Sequence, residues 1–169
     1  MKKNKIDVIE GYGKIKSGKK VSVENENGKI TDFQATNIII ATGAKSRALP
    51  NLPQDGKKII GYREAMTLKK QPKKIIIVGS GAIGVEFAYF YNAMGSEVTI
   101  VEYLDRIVPV EDEEVSKALE VNFKKNGIKI LTSSELIKAD TKGKTLSATV
   151  KNGGNEIILK ADIILSAVG

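Results

Sequence analysis

The feature that most constrains this chain is an apolar run, Ile75-Ile76-Ile77-Val78, that passes directly into Gly79-Ser80-Gly81-Ala82-Ile83-Gly84. Four consecutive β-branched residues read as a strand buried on both faces, as in a parallel sheet covered by other layers. Beyond the glycines, Ile83, Phe87, Tyr91 and Met94 recur at helical spacing, so residues 82–94 are expected to be a helix stopped by Gly95. Residues 97–101 follow as a second strand. The alternation continues with an expected helix over 111–126, closed by Gly127, and a third strand over 128–131. Glu111-Asp112-Glu113-Glu114 opens that helix and Lys124-Lys125 ends it. This complements the helix dipole and accounts for the acidic run without a metal, since hard-cation loops need acids spaced around a turn. Residues 136–139, 145–150 and 156–159 read as a meander with Asn152-Gly153 at a turn, and 161–168 as a last buried strand.

The first fifty residues carry no crossover helix. Residues 6–15 are a strand candidate interrupted at Gly11-Tyr12-Gly13; 20–24 and 30–34 alternate around an Asn25-Glu26-Asn27-Gly28 turn. These three form an antiparallel meander. Residues 37–42 (Ile38-Ile39-Ile40 at their centre) are expected to be a buried strand ending at Gly43. The Pro-containing stretch 48–56 is the best boundary in the chain, and 63–70 reads as a short helix halted before Pro72.

Composition removes several chemistries. Cys and His are both absent, which excludes disulfides, Cys/His metal sites and His- or Cys-dependent nucleophilic catalysis by these residues. The formal net charge is +7, but of 27 Lys+Arg only Arg47, Arg63 and Arg106 are arginine. Scattered lysine pairs read as a solvated surface rather than a nucleic-acid footprint, which favours arginine forks. No segment approaches the roughly 20 apolar residues of a membrane span, and none resembles a signal peptide, so a cytoplasmic location with no nucleic-acid and no membrane partner is expected.

The glycine run has the context that gives a G-x-G-x-x-G pattern meaning. It follows a strand and opens a helix, and an acid, Glu102, ends the next strand 18 residues after Gly84. Gly79 is expected to make the tight turn, Gly81 to let a pyrophosphate approach the backbone, and Gly84 to let the helix lie close to the sheet. The freed N–H groups and the positive helix end then suit phosphate. A carboxylate at Glu102 can accept from the hydroxyls of an adenosine ribose and repels a 2′-phosphate, which favours NAD over NADP. Arg106 would have to overcome that repulsion to hold a 2′-phosphate.

Together with Val98-Thr99-Ile100-Val101-Glu102, the run from Ile75 to Ala88 resembles the NAD-binding half of the flavoprotein disulfide reductases, and within them the dihydrolipoamide dehydrogenase branch. Gly11 to Ile15 resembles the strand that approaches the flavin adenine. Ile38 to Ala44 resembles the second flavin motif, and Leu165 to Gly169 the segment that returns to the flavin domain. The resemblance implies an α/β fold: a Rossmann-like NAD-binding domain with parallel sheet, helices and a β-meander, plus a β-rich remnant of the FAD domain. It implies the remnant at 1–52, a connector at 53–72 and the NAD domain at 73–169. By the same resemblance NAD would be held by Gly79, Ser80, Gly81, Ala82, Ile83, Gly84, Val85 and Glu86, with Glu102 on the ribose, Leu136 by the adenine and Gly169 by the cofactor. Glu86 could equally be a solvated helix residue and Leu136 a core residue. Gly13, Thr42, Gly43 and Ala44 would face FAD. No catalytic or metal-binding residue is assigned. The implied partners are NAD(H) and, for a full-length enzyme, a lipoyl domain of a 2-oxo acid dehydrogenase complex and a homodimer mate. The first flavin glycine motif, the redox cysteines and the His-Glu pair are not in this chain, so a catalytically inactive, NAD-binding fragment is expected. Another flavin reductase of the same superfamily, such as a mercuric-reductase-like enzyme, and a basic binding module without cofactor are the alternatives.

Overall fold

The computed structural model describes residues 1–47 and 49–168. The chain divides into two compact units, Met1–Ala44 and Lys45–Gly169. In the first, β1 (Tyr12–Lys16), β2 (Lys20–Glu24) and β3 (Ile30–Gln34) pair antiparallel in the order β1-β2-β3. The Asn25 side chain closes the β2–β3 loop by accepting from the backbone N–H groups of Asn27 and Lys29 at 3.0 and 2.9 Å, with Gly28 at φ +76°. Ser22 is the only buried residue among those described in this unit; its hydroxyl donates to Asp32.

Two expectations for this unit fail. Residues 6–10 are not strand, and 37–42 are irregular backbone with Ile39 91% and Ile40 69% exposed rather than a buried strand. An apolar run becomes a strand only where a neighbour completes its hydrogen-bond ladder. Among the described residues no strand pairs with 37–42.

The second unit is a three-layer α/β structure. It contains β4 (Ile59–Ile60), α1 (Tyr62–Met66), β5 (Lys74–Val78), α2 (Ala82–Ala93), β6 (Glu97–Val101), α3 (Glu113–Lys125) and β7 (Lys129–Leu131). These are followed by β8 (Ser134–Asp140), β9 (Leu146–Asn152), β10 (Asn155–Ala161) and β11 (Ile163–Ser166). A parallel sheet runs in the order β4-β11-β5-β6-β7. Antiparallel β8, β9 and β10 form a second sheet.

Strand periodicity explains the layers. Ile75 and Ile77 point into one core cluster with Ala88 and Tyr91 of α2 and Phe123 of α3. Ile76 and Val78 point the other way, into a cluster with Leu136, Leu146, Ala148 and Val150 of the meander. β11 does the same, with Leu165 on the helix side and Ile164 on the meander side. Both sheet faces are thus covered, which is why these strands are apolar without alternation.

Polar groups fix the joints. The Asp162 carboxylate accepts from the N–H groups of Lys73 and Lys74 at 2.8 and 3.0 Å, tying the start of β5 to β11. The expected 161–168 strand is accordingly broken at Asp162. The Tyr91 hydroxyl donates to the Ala65 carbonyl at 2.6 Å, pinning α2 to α1, and burial pushes this phenol above its ordinary pKa. Asp112 caps α3 by accepting from the Glu114 N–H at 2.8 Å, so the acidic run does begin that helix. Gly153 and Gly154, both at positive φ, close the two-residue β9–β10 turn. The short strand β4 was not anticipated. Its approach is set by Asp55, whose carboxylate accepts from the N–H groups of Lys57, Lys58 and Ile59 at 2.8, 2.8 and 2.9 Å. Desolvation pushes that carboxyl up, and the backbone donors of Ile59, Lys57 and Lys58 outweigh it, leaving it below its ordinary pKa.

One polar atom lacks a partner. Ser166 Oγ is buried at the end of β11 and is the only such side-chain atom without a hydrogen bond among the described residues. An unpaired buried hydroxyl costs free energy that an apolar group of similar shape does not. Ser166→Ala is expected to raise stability by about 1 kcal/mol, read as a higher denaturation midpoint with unchanged m-value.

Candidate functional site

The candidate site lies at the carboxyl ends of β5, β6 and β11, where ligands bind in open parallel sheets. Gly79 leaves β5 at φ +96°, and its N–H donates to the Val101 carbonyl at 2.9 Å, so the turn is stitched to the end of β6. A Cβ on Gly79 would sit 2.9 Å from the Ala167 carbonyl oxygen, and one on Gly84 only 2.1 Å from the Gly79 carbonyl oxygen. Both glycines are therefore demanded by the protein's own backbone. Gly81 is different. It has φ −65° and ψ −177°, open to any L-residue, and a Cβ there would meet nothing within 4 Å. Among the described residues no steric contact and no positive φ requires glycine at this position. Gly81 is also the N-cap of α2 and supplies no side-chain cap, so the first N–H groups of a twelve-residue helix lack a side-chain partner at that end.

A cleft of about 570 Å³ opens beside this turn, within the usual size of small-ligand sites. Gly79, Ser80, Gly81, Glu102 and Leu136 all line it. Glu102 is buried rather than a solvated strand end: it is 7% exposed. Its Oε2 accepts from the backbone N–H and the hydroxyl of Ser80, each at 2.7 Å, and Oε1 accepts from the Leu104 N–H at 2.8 Å. Leu136 is at once a core residue, 4% exposed, and part of the cleft wall. The opposite wall is drawn in by the Val108 N–H, which donates to the Ser80 carbonyl at 2.9 Å. Val108 is held there at φ +39°, a costly setting for a β-branched residue, and Pro109 and Val110 follow it along the cleft.

The remaining candidates lie elsewhere. Ala82, Ile83, Gly84 and Val85 run up α2; Gly84 is buried, Val85 packs on the core, and Ala82 and Ile83 are exposed. Glu86 is exposed and borders a separate apolar hollow with Met66 and Phe90. Gly13 lies in β1, and Thr42, Gly43 and Ala44 are exposed irregular backbone, Gly43 at φ +83°; all four belong to the Met1–Ala44 unit. Gly169 lies outside the described residues, although its neighbours Ala167 and Val168 line the cleft. Arg106 donates to the Pro109 carbonyl at 3.1 Å. Sequence reasoning missed Arg47, Asn51 and Tyr103, which also line the cleft. Asn51 donates to the Leu136 carbonyl at 2.7 Å, from a stretch whose prolines signalled only a boundary.

Comparison with known proteins places this architecture. The family model for pyridine nucleotide-disulphide oxidoreductases matches residues 1–169. The chain belongs to that family. Dihydrolipoyl dehydrogenase of Zymomonas mobilis is 44% identical over 155 residues, covering 90% of this chain and 33% of that protein. Leghemoglobin reductase of Glycine max is 36% identical over 169 residues, 99% of this chain and 32% of that protein. The chain spans about a third of the length of these relatives. Among solved structures, LpdA of Mycobacterium tuberculosis superposes with a TM-score of 0.79 at 27% identity, over 95% of this chain and 36% of that one. Members of this family are oxidoreductases that use FAD and NAD(H).

The glycines separate structure from ligand in a directly measurable way. Gly84→Ala is expected to lose stability steeply, by about 2 kcal/mol or more, because the contact is with backbone that cannot yield. Gly81→Ala is expected to cost far less, at most the roughly 1 kcal/mol of an N-cap change. Both are read by thermal unfolding of the purified chain.

Proposed function

We propose that this chain binds NAD(H) in the cleft beside the glycine turn and acts as the NAD-binding segment of a dihydrolipoyl-dehydrogenase-like flavoenzyme. The observation that carries the reading is Gly81, a glycine with no steric or dihedral reason among the described residues. Its missing side chain is explained by a partner that needs the space, and the α2 N-terminus beside it favours an anion. The cleft fits the rest of a dinucleotide. Glu102 supplies an acceptor for a ribose hydroxyl at the end of β6, and Leu136 supplies an apolar wall for a base.

The nicotinamide ring, when bound, supplies the hydride-accepting chemistry. This chain's part is positional. The amides at the helix start would hold the diphosphate, Glu102 would set the ribose, and Glu86 would lie toward the nicotinamide end. The chain has no Cys and no His, so it offers neither a dithiol for exchange with dihydrolipoamide nor an imidazole base. Catalysis in the whole enzyme, its lipoyl-domain substrate and its dimer partner therefore depend on groups other than these residues.

Titration of NADH fluorescence with the 169-residue chain is expected to saturate, and NADPH to bind more weakly. Gly81→Ala should weaken NADH at least tenfold while the fold persists. Glu102→Arg should weaken NADH and strengthen NADPH. No saturable NADH signal at millimolar concentrations would leave a basic module without cofactor as the better account. The chain alone, with FAD added, is expected to show no dihydrolipoamide oxidation.

A further inference from the structure

The three donors around Glu102 are all neutral, and their arrangement is asymmetric. An ionised carboxylate offers about four acceptor positions. Oε2 uses two of them on Ser80, through its N–H and its hydroxyl, and Oε1 uses one on the Leu104 N–H. The position left over is on Oε1. The two sides of the carboxylate also differ in access. Ser80 is 0% exposed, so a ligand cannot take the place of its hydroxyl without opening the turn, whereas Leu104, on the Oε1 side, is 47% exposed.

The terminal torsion of a glutamate is broad and nearly two-fold, so a carboxylate at the end of that side chain has no strong orientation of its own. Here the orientation is imposed from the glycine turn, 22 residues earlier in the chain. We propose that Ser80 is a positioning residue for coenzyme choice: its hydroxyl locks Oε2 so that the one free acceptor of Glu102 is presented on Oε1 to a single ribose hydroxyl, and so that the negative charge is fixed where a 2′-phosphate would fall. This rests on the NAD(H) reading given above and adds to it the residue that makes Glu102 selective. Loss of the hydroxyl leaves Oε2 with only the Ser80 N–H, so the carboxylate keeps one backbone donor on each oxygen, turns more readily about them and gains a position for water. The ribose contact weakens and the fixed repulsion is smeared. The diphosphate contacts at the helix start, which both coenzymes share, are untouched.

The test is a cycle of variants titrated with NADH and with NADPH: the unmodified chain, Ser80→Ala, Glu102→Gln and the double variant, each with its thermal midpoint measured. Ser80→Ala is expected to weaken NADH about tenfold, the scale of a hydrogen bond to a charged group, and to leave NADPH no weaker, so that the preference ratio falls about tenfold or more. In the Glu102→Gln background, Ser80→Ala is expected to add nothing, since its effect passes through the carboxylate. Ser80→Gly removes the same hydroxyl without adding bulk and carries the same expectation if the alanine variant does not fold. Equal weakening of both coenzymes, or additive losses in the double variant, would mark Ser80 as merely structural and overturn the inference while NAD(H) binding stands. Absence of saturable NADH binding by the unmodified chain would overturn both.

Discussion

The burial of Ile75–Val78 on both faces is the constraint from which the Lys45–Gly169 unit follows. A strand whose every side chain is apolar needs two covering layers, and the chain supplies them in turn: α2 and α3 on one face, the β8–β10 meander on the other. The parallel neighbours β6 and β11 complete its ladder, and their own alternating residues extend both cores. With the central strand buried on both faces, its carboxyl end is where the cleft opens. The glycine turn sits there, and with it the cleft.

At that turn, one short stretch meets two opposite demands. Gly79 and Gly84 draw the helix against the strand end, with the Gly84 Cα packed over the Gly79 carbonyl so closely that a methyl group has no room. Gly81, between them, faces outward into empty space. The tight packing holds the helix axis and its N-terminus in one orientation, and the open glycine leaves that N-terminus approachable. A polar lock completes the geometry: the N–H and hydroxyl of Ser80 reach the Glu102 carboxylate, and the Ser80 carbonyl holds Val108 in a conformation it would not adopt alone. The turn thus organises both walls of the cleft.

How much of this was legible in the sequence depends on the range of the interaction. β2, β3, β5 and β6 are found at the residues expected, because their apolar patterns and flanking turns are local. The packing roles of Gly79 and Gly84 were legible too, since each follows from its place in a strand–turn–helix. What failed was what requires a partner. Ile38-Ile39-Ile40 has the composition of a buried strand, but composition does not provide a neighbour, and those residues stand exposed. β4 escaped notice because two residues carry no period; only the Asp55 turn and pairing with β11 make them a strand. Glu102 was read as a ribose ligand from its spacing, yet its burial and its bonds to Ser80 depend on a contact between residues 22 positions apart. Arg47, Asn51 and Tyr103 enter the cleft through tertiary folding of segments with no motif.

The two units differ in the source of their order, and this bears on how each can act. The meander β1–β3 has complete antiparallel ladders but buries only Ser22 among its described residues, so its hydrogen bonds are not backed by an apolar core. Ladder bonds exchanged against water contribute little net free energy, and three strands without a buried face gain little to offset the entropy of ordering them. The apolar side chains that flank it in the same unit, Ile6, Val8, Ile9, Ile39 and Ile40, are exposed. The Lys45–Gly169 unit has the reverse balance. Two contiguous cores flank one sheet, and the Glu102 carboxylate at its cleft is held in place by Ser80 and Leu104. A carboxylate held in this way does not have to be ordered when a ligand meets it, and the acceptor position left open sets what it can accept.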